Sequence, residues 1–163
     1  MTITYKTASE IPDSDCSALA DILNNYWKHI TVNSKMMLKR LQSGSLFLAA
    51  YDEQKPLGLL ETLAFHTEGQ PSAIAGGYMA TTNDGLWKPP EEKADTLLLV
   101  DITPDKETWN SGFGKQFIDA ALDLVARKTP YQFVFTYTPA DAGIRKWHLK
   151  NGATETYHRI FCA

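Results

Sequence analysis

The sequence predicts an α/β fold, a mixed sheet with helices on its faces. Three observations carry that prediction. Segments alternate in the order strand, helix, helix, hairpin, strand, helix, strand, helix, strand. Residues 45–65, SLFLAAYDEQKPLGLLETLAF, read as a β-hairpin, two apolar runs flanking the polar turn Asp52-Glu53-Gln54-Lys55. Residues 96–138 form a strand–helix–strand unit, whose two strands should lie parallel and be joined by a right-handed crossover.

Each element has its own signal. Ile3 and Tyr5 alternate with polar residues in a short first strand. Pro12, Asp13 and Ser14 start a helix over roughly 14–29, with Leu19, Ile22, Leu23, Tyr26, Trp27 and Ile30 on one face. Asn33 or Ser34 can cap a second helix through Met36, Met37, Leu38 and Leu41, which Gly44 should end in the left-handed conformation. Residues 66–95 hold Gly69, Pro71, Gly76-Gly77, Asn83-Asp84-Gly85 and Pro89-Pro90, punctuation that argues against a long helix. A loop of this length is uncommon unless it works as a lid or binding loop, and a short strand is expected near Tyr78. TLLLVDIT, from Thr96, is continuously apolar, as a strand buried on both faces should be. The loop PDKETWNSGFG leads to a helix carrying Phe113, Phe117, Ile118, Ala121, Leu122 and Val125, which ends near Arg127-Lys128. YQFVFTYT is the next strand, and Thr138-Pro139-Ala140-Asp141 starts a helix that runs to about Lys150 and stops at Asn151-Gly152. The tail ATETYHRIFCA reads as a last strand.

Composition bounds the function. The 163 residues suit one domain with a core of its own, 1–163. Hydrophobic residues at 44% and charged residues at 21% exclude a disordered tail, a coiled coil or a collagen-like rod. The net charge, 16 − 19 = −3, lacks the basic excess that phosphate neutralisation requires, so no nucleic-acid partner is expected. Cys16 and Cys162 can neither build a disulfide framework nor fill a structural zinc site, which fits a reducing compartment, and no metal is expected. MTITYKTASE lacks a basic region followed by an apolar run, and no apolar stretch approaches the ~20 residues of a membrane span. The expectation is a cytoplasmic protein with no membrane partner.

Trp109-Asn110-Ser111-Gly112-Phe113-Gly114 sits between a buried strand and a helix. Glycines let backbone amides approach a ligand, and the first turn of a helix offers unpaired N–H groups and a positive dipole end. The turn suits a pyrophosphate; a plain strand-to-helix turn is the alternative reading of the hexapeptide. It is not a Walker loop, because Gly114-Lys115-Gln116 has the wrong spacing and lacks the Ser or Thr. It is not a Rossmann fingerprint, having two glycines in the second half of the chain.

These residues resemble the signature of the GNAT superfamily of acyl-CoA-dependent N-acyltransferases. Ile102-Thr103-Pro104 stands for the strand end, Gly112 and Gly114 for the two small residues of its phosphate loop, and Phe117-Ile118 for its apolar helix face. The second signature is matched in spacing from Asp141 through Ile144 and His148 to Gly152-Ala153. The departures are Trp109 where the family has Arg or Gln, a loop after Pro104 about two residues longer than usual, Asp141 for Asn, and His148 for the Tyr that often serves as general acid. The resemblance implies a mostly antiparallel sheet whose parallel strands, 97–103 and 131–137, splay at their C-terminal ends. It implies that acetyl-CoA binds there: pantetheine along Val100, Asp101 and Ile102, and pyrophosphate on the amides of Trp109, Asn110, Ser111, Gly112, Phe113, Gly114 and Lys115, beside Asp141 at the start of the last helix. Lys106, Lys115 or Arg145 would reach a phosphate or remain surface charges.

The implied reaction is direct attack of an amine on the thioester, so Cys16 and Cys162 need no role. A backbone N–H in the Val100–Ile102 region is the natural oxyanion donor. His148 is the candidate acid for the departing thiolate, with Tyr137 a second. Asp101, Glu61 and His66 are candidate bases; the first two interrupt apolar strands, which is costly unless they are paired or stand near the splay. His66, Tyr78 and Trp87 would line the acceptor pocket; the alternative for the 66–95 segment is a β-excursion that only covers the sheet edge. The acceptor is a small-molecule or peptide amine, and a homodimer is compatible with the family. The alternative to an enzyme is a non-catalytic acyl-CoA-binding or sensing module of the same fold, and a third reading is an unrelated α/β domain with a structural glycine turn.

Overall fold

The computed structural model describes residues 2–27, 30–74, 76–128, 130–136, 142–150 and 153–154. Among these, five strands form one sheet in chain order: β1 (Ile3–Thr7), β2 (Phe47–Asp52), β3 (Lys55–Phe65), β4 (Thr96–Pro104) and β5 (Phe133–Thr136). The first three junctions are antiparallel and β4–β5 is parallel. The helices are α1 (Cys16–Tyr26), α2 (Ser34–Leu41), α3 (Tyr78–Thr82), α4 (Phe113–Lys128) and α5 (Ala142–Lys150).

Strand alternation sends successive side chains to opposite faces of the sheet. On one face Phe47, Ala49, Tyr51 and Leu59 pack with Leu19, Ile22 and Leu23 of α1 and Met37 and Leu41 of α2. On the other, Leu48, Ala50, Leu57, Leu60, Leu97 and Leu99 pack with Phe113, Phe117, Ala121 and Val125 of α4. A third cluster, Leu63, Phe65, Leu98 and Val100 with Ile74 and Trp87, sits under the 66–95 excursion on the α1–α2 face. Helices thus cover both faces, as the sequence predicts. No helix among the described residues is long and apolar enough to cross a membrane.

Several local expectations are refined. The first helix begins as a 3₁₀ turn, Asp13–Asp15, and ends at Tyr26, because Trp27 leaves the helical region (φ −94, ψ 91). Asn33 is the cap of α2, its side chain accepting from the Met36 N–H, but the helix closes at Gln42 and Gly44 takes its φ of 81° two residues later. The hairpin turn is Glu53-Gln54, since Asp52 and Lys55 still pair. The short strand expected near Tyr78 is instead helix α3: Gly77 (φ 93) and left-handed Asn83 (φ 54) bracket a single turn whose Thr82 hydroxyl donates to the Tyr78 carbonyl. That local closure outweighs the strand preference of Tyr and Thr. The loop after Pro104 is ordered as a 3₁₀ turn, Lys106–Ser111, capped by Asp105. Residues 137 and 138 of the fifth predicted strand, the helix stop at 151–152, and residues 155–163 of the last predicted strand lie outside the described residues.

Candidate active site

The site begins with a defect in the sheet. Glu61 of β3 pairs with Asp101 of β4, yet the next residue, Thr62, pairs with Leu99. Val100 is therefore an extra residue, a β-bulge, which leaves its backbone unpaired toward β3 and changes the phase of the strand. Leu97 and Leu99 face α4, Leu98 and Val100 face the excursion, and Ile102 faces α4 again. Strict alternation would send Asp101 toward α4. The bulge turns it to the opposite face, beside Glu61.

Among the described residues, the parallel ladder runs to this same point. β4 pairs with β5 from Thr96↔Phe133 to Leu99↔Thr136. β4 then continues through Val100–Pro104 without a recorded partner on that side among the described residues.

Both acids are dry: Glu61 is 0% and Asp101 4% exposed. Glu61 Oε1 and both carboxylate oxygens of Asp101 have no hydrogen-bond partner among the described residues. Trp27, half-exposed at the end of α1, lies close enough to favour the ionised form of Asp101 but outside hydrogen-bond geometry. Burial is the dominant influence and holds both acids well above the ordinary carboxylate range, against the opposing pull of the Arg40 charge. Together the two acids hold more protons near neutrality than two free carboxylates would.

Arg40 of α2 is the cation of this group. Its Nη1 donates to Glu61 Oε2 at 2.8 Å, its Nε to the Gly85 carbonyl at 2.8 Å and its Nη2 to the Tyr78 hydroxyl at 3.4 Å. Its guanidinium carbon lies 4.0 Å from the centre of the Trp87 ring, and the Trp87 Nε1 donates to the Thr62 carbonyl at 2.9 Å. Sequence reasoning missed Arg40. The available signal was its place between Met37 and Leu41 on the buried stripe of α2, together with an acid in β3 that needed a partner.

The glycine turn stands at the C-terminal end of β4. Gly112 closes the 3₁₀ turn at φ 78, a conformation that requires glycine here although a Cβ would meet open space. The Ser111 hydroxyl donates to the Thr108 carbonyl and accepts from the Phe113 N–H. The first-turn amides of Gly114 and Lys115 have no intrahelical acceptor by the geometry of a helix start. The Phe113 side chain is buried in the α4 core, leaving its backbone as the part that can meet a ligand. Lys106 donates to the Asn25 carbonyl and lies over the Tyr26 ring, while Tyr26 donates to the Pro104 carbonyl, so the turn is tied to α1. Lys115 forms an exposed pair with Asp119.

The structure thus brings together Glu61, Asp101, Tyr78 and Trp87 in one group; Val100, Asp101 and Ile102 stand on β4, and Ser111 through Lys115 at the turn that follows its C-terminal end. Trp109 and Asn110 belong to the 3₁₀ turn. His66 is not brought to the acids: it lies past the far end of β3, its Nδ1 3.2 Å from an oxygen of Asp95, whose carboxylate also accepts from the Thr67 and Glu68 N–H groups. His148 is half-buried in α5, where desolvation pushes its imidazole down and reduces the protonated share near neutrality. Tyr137 and Asp141 lie outside the described residues.

No protein-family model and no curated protein sequence matches the chain. Solved structures do. The loading GNATL domain of CurA from Lyngbya majuscula has 14% identity and a TM-score of 0.66, covering 86% of this chain and 67% of its own. The GphF GNAT-like decarboxylase in complex with isobutyryl-CoA has 19% identity and a TM-score of 0.64, covering 94% and 73%. The aminoglycoside N-acetyltransferase AAC(6')-Iy in complex with CoA has 14% identity and a TM-score of 0.63, covering 99% and 94%. At such identities the likeness speaks for the fold, and together with the sheet order, the parallel β4–β5 pair and the helices on both faces it identifies this chain as a GNAT fold.

Proposed function

We propose that the chain is an N-acyltransferase that moves an acetyl group from acetyl-CoA to a primary amine by direct attack of the acceptor nitrogen on the thioester. One observation carries this reading: the Val100 bulge breaks the β3–β4 ladder, frees backbone there and turns a buried acid, Asp101, out of the α4 core to stand beside Glu61. The CoA and isobutyryl-CoA complexes among the structural neighbours support a CoA-type donor. The neighbours that act on aminoglycosides support a small-molecule amine acceptor.

When bound, the donor supplies an activated acyl group; the chain does the rest. Backbone groups of β4 beyond Leu99, which pair with no strand on the β5 side among the described residues, are offered to pantetheine. The amides at the start of α4 meet the pyrophosphate, favoured by the helix dipole. The unpaired backbone at Val100 is the candidate oxyanion donor. The Glu61–Asp101 pair takes a proton from the acceptor, Asp101 being the member with no direct cationic bond, and Tyr78 and Trp87 border the acceptor side. His148 is retained as candidate proton donor to the thiolate.

The test is a thermal shift with millimolar CoA, followed by thiol release from acetyl-CoA against a panel of amines. Stabilisation by CoA and amine-dependent thiol release are expected. Stabilisation without release would leave a CoA-binding module, and no shift would leave a structural glycine turn. Gly112→Val is expected to weaken CoA binding about tenfold, because a β-branched residue at positive φ costs roughly 1–3 kcal/mol and moves the loop amides; isothermal calorimetry reads this directly. His148→Phe is expected to reduce turnover about 10²-fold with an unchanged melting temperature, and turnover equal to that of the parent would remove it from the mechanism.

A further inference from the structure

Arg40 touches every part of the buried group except Asp101. It holds β3 through Glu61, α3 through Tyr78, and the rest of the excursion through Gly85 and Trp87. Nothing else charged among the described residues joins the 78–87 segment to the acids. We propose that Arg40 is a positioning residue for the proton acceptor: it seats the 78–87 excursion and Glu61 on one guanidinium, so that the proton affinity of Asp101 follows how well that excursion is seated.

The groups facing Asp101 set the sign. Glu61 comes from β3, Arg40 from α2 and the Tyr78 hydroxyl from α3, with the Trp27 indole at the end of α1. Arg40 is the one cation among them and favours an ionised Asp101; Glu61, while charged, opposes it. Loosening the guanidinium must therefore raise the pH at which Asp101 ionises. Removing the Glu61 charge frees the Arg40 field for Asp101 and must lower it. A merely structural clamp would cost stability in both cases without moving the midpoint in opposite directions.

The use of Asp101 as a base rests on the acyl-transfer reading, but its titration does not, so the two fail separately. Carbon-detected NMR of the side-chain carboxyls, run from pH 4 to pH 9 on the full chain without substrate, gives the midpoint, and loss of one resonance in Asp101→Asn assigns it. Glu61→Gln is expected to lower the Asp101 midpoint by about one pH unit, and Arg40→Met to raise it by a similar amount. Trp87→Leu, which removes the stacked ring and touches neither acid, is expected to raise it by a smaller step. If Arg40→Met does not fold, the opposite signs of Glu61→Gln and Trp87→Leu carry the test. Shifts of the same sign in those two variants, or an unmoved midpoint in Trp87→Leu, overturn the proposal. Where an amine acceptor has been found, the acid limb of kcat/KM should move with the NMR midpoint in each variant.

Discussion

Replacing Asp101 by Asn is expected to lower kcat/KM by about 10²–10⁴-fold, the usual worth of a positioned general base, without lowering stability at neutral pH. The two readouts separate because the carboxylate is held where folding alone would not put it. Asp101 is 4% exposed and its oxygens lack hydrogen-bond partners among the described residues, so ionisation is opposed by desolvation that the Arg40 charge and the nearby Trp27 indole offset only in part. Its pKa is raised in the folded state and ordinary in the unfolded one. The folded chain therefore binds more protons, and the stability this gives is complete below the ordinary carboxylate range and lost as pH rises through the folded midpoint. Asn has nearly the same shape and does not ionise. Urea unfolding of parent and variant at pH 5 and pH 8 should show the parent losing more stability on the alkaline side. Full turnover by Asp101→Asn would end its candidacy as base, and a loss of more than about 2 kcal/mol at pH 8 would mean that the carboxylate has a structural partner.

Much of this geometry was legible in the residues. The hairpin, the buried strand and the strand–helix–strand unit come from periodicity and turn chemistry, which act locally. Asp101 and Glu61 were visible as acids interrupting apolar runs. What made them a pair was not visible: a continuous apolar run such as TLLLV has no alternation, so the phase change at Val100 leaves no trace in the pattern. The proposed acceptor wall was half legible. Tyr78 and Trp87 stood out by residue type, but the helix that carries Tyr78 depends on the positive φ of Gly77 and Asn83, which residue type only permits. His66 was attractive by position in the chain, and the register places it beyond Phe65, five residues past Glu61 and beside Asp95 rather than Asp101. Arg40 needed a contact across 21 residues, which no local rule supplies.

Arg40→Ala is expected to destabilise the fold by about 3–5 kcal/mol, the largest stability effect of any change at this site. The guanidinium and the Glu61 carboxylate are each 0% exposed at their side chains, so removing one leaves the other as an uncompensated charge in a dry space. The Gly85 carbonyl loses its donor and the Trp87 ring its stacked partner in the same step. The cost depends on pH in a definite direction. Without Arg40, the pull that lowers the Glu61 pKa is gone and burial raises it further. Protonation then neutralises the stranded acid, so the loss should be greatest at alkaline pH and shrink as pH falls. A double substitution, Arg40→Met with Glu61→Leu, should recover most of the loss, since a buried ion pair exchanged for apolar residues of similar volume is often neutral or stabilising by about 1–4 kcal/mol. Recovery of stability without recovery of the Asp101 midpoint would separate the two functions of the ion pair, structural support for α2 against β3 and electrostatic control of the acid beside it. If the double variant stays as unstable as Arg40→Ala, the bonds to Gly85 and Tyr78, rather than the Glu61 pair, hold the excursion in place.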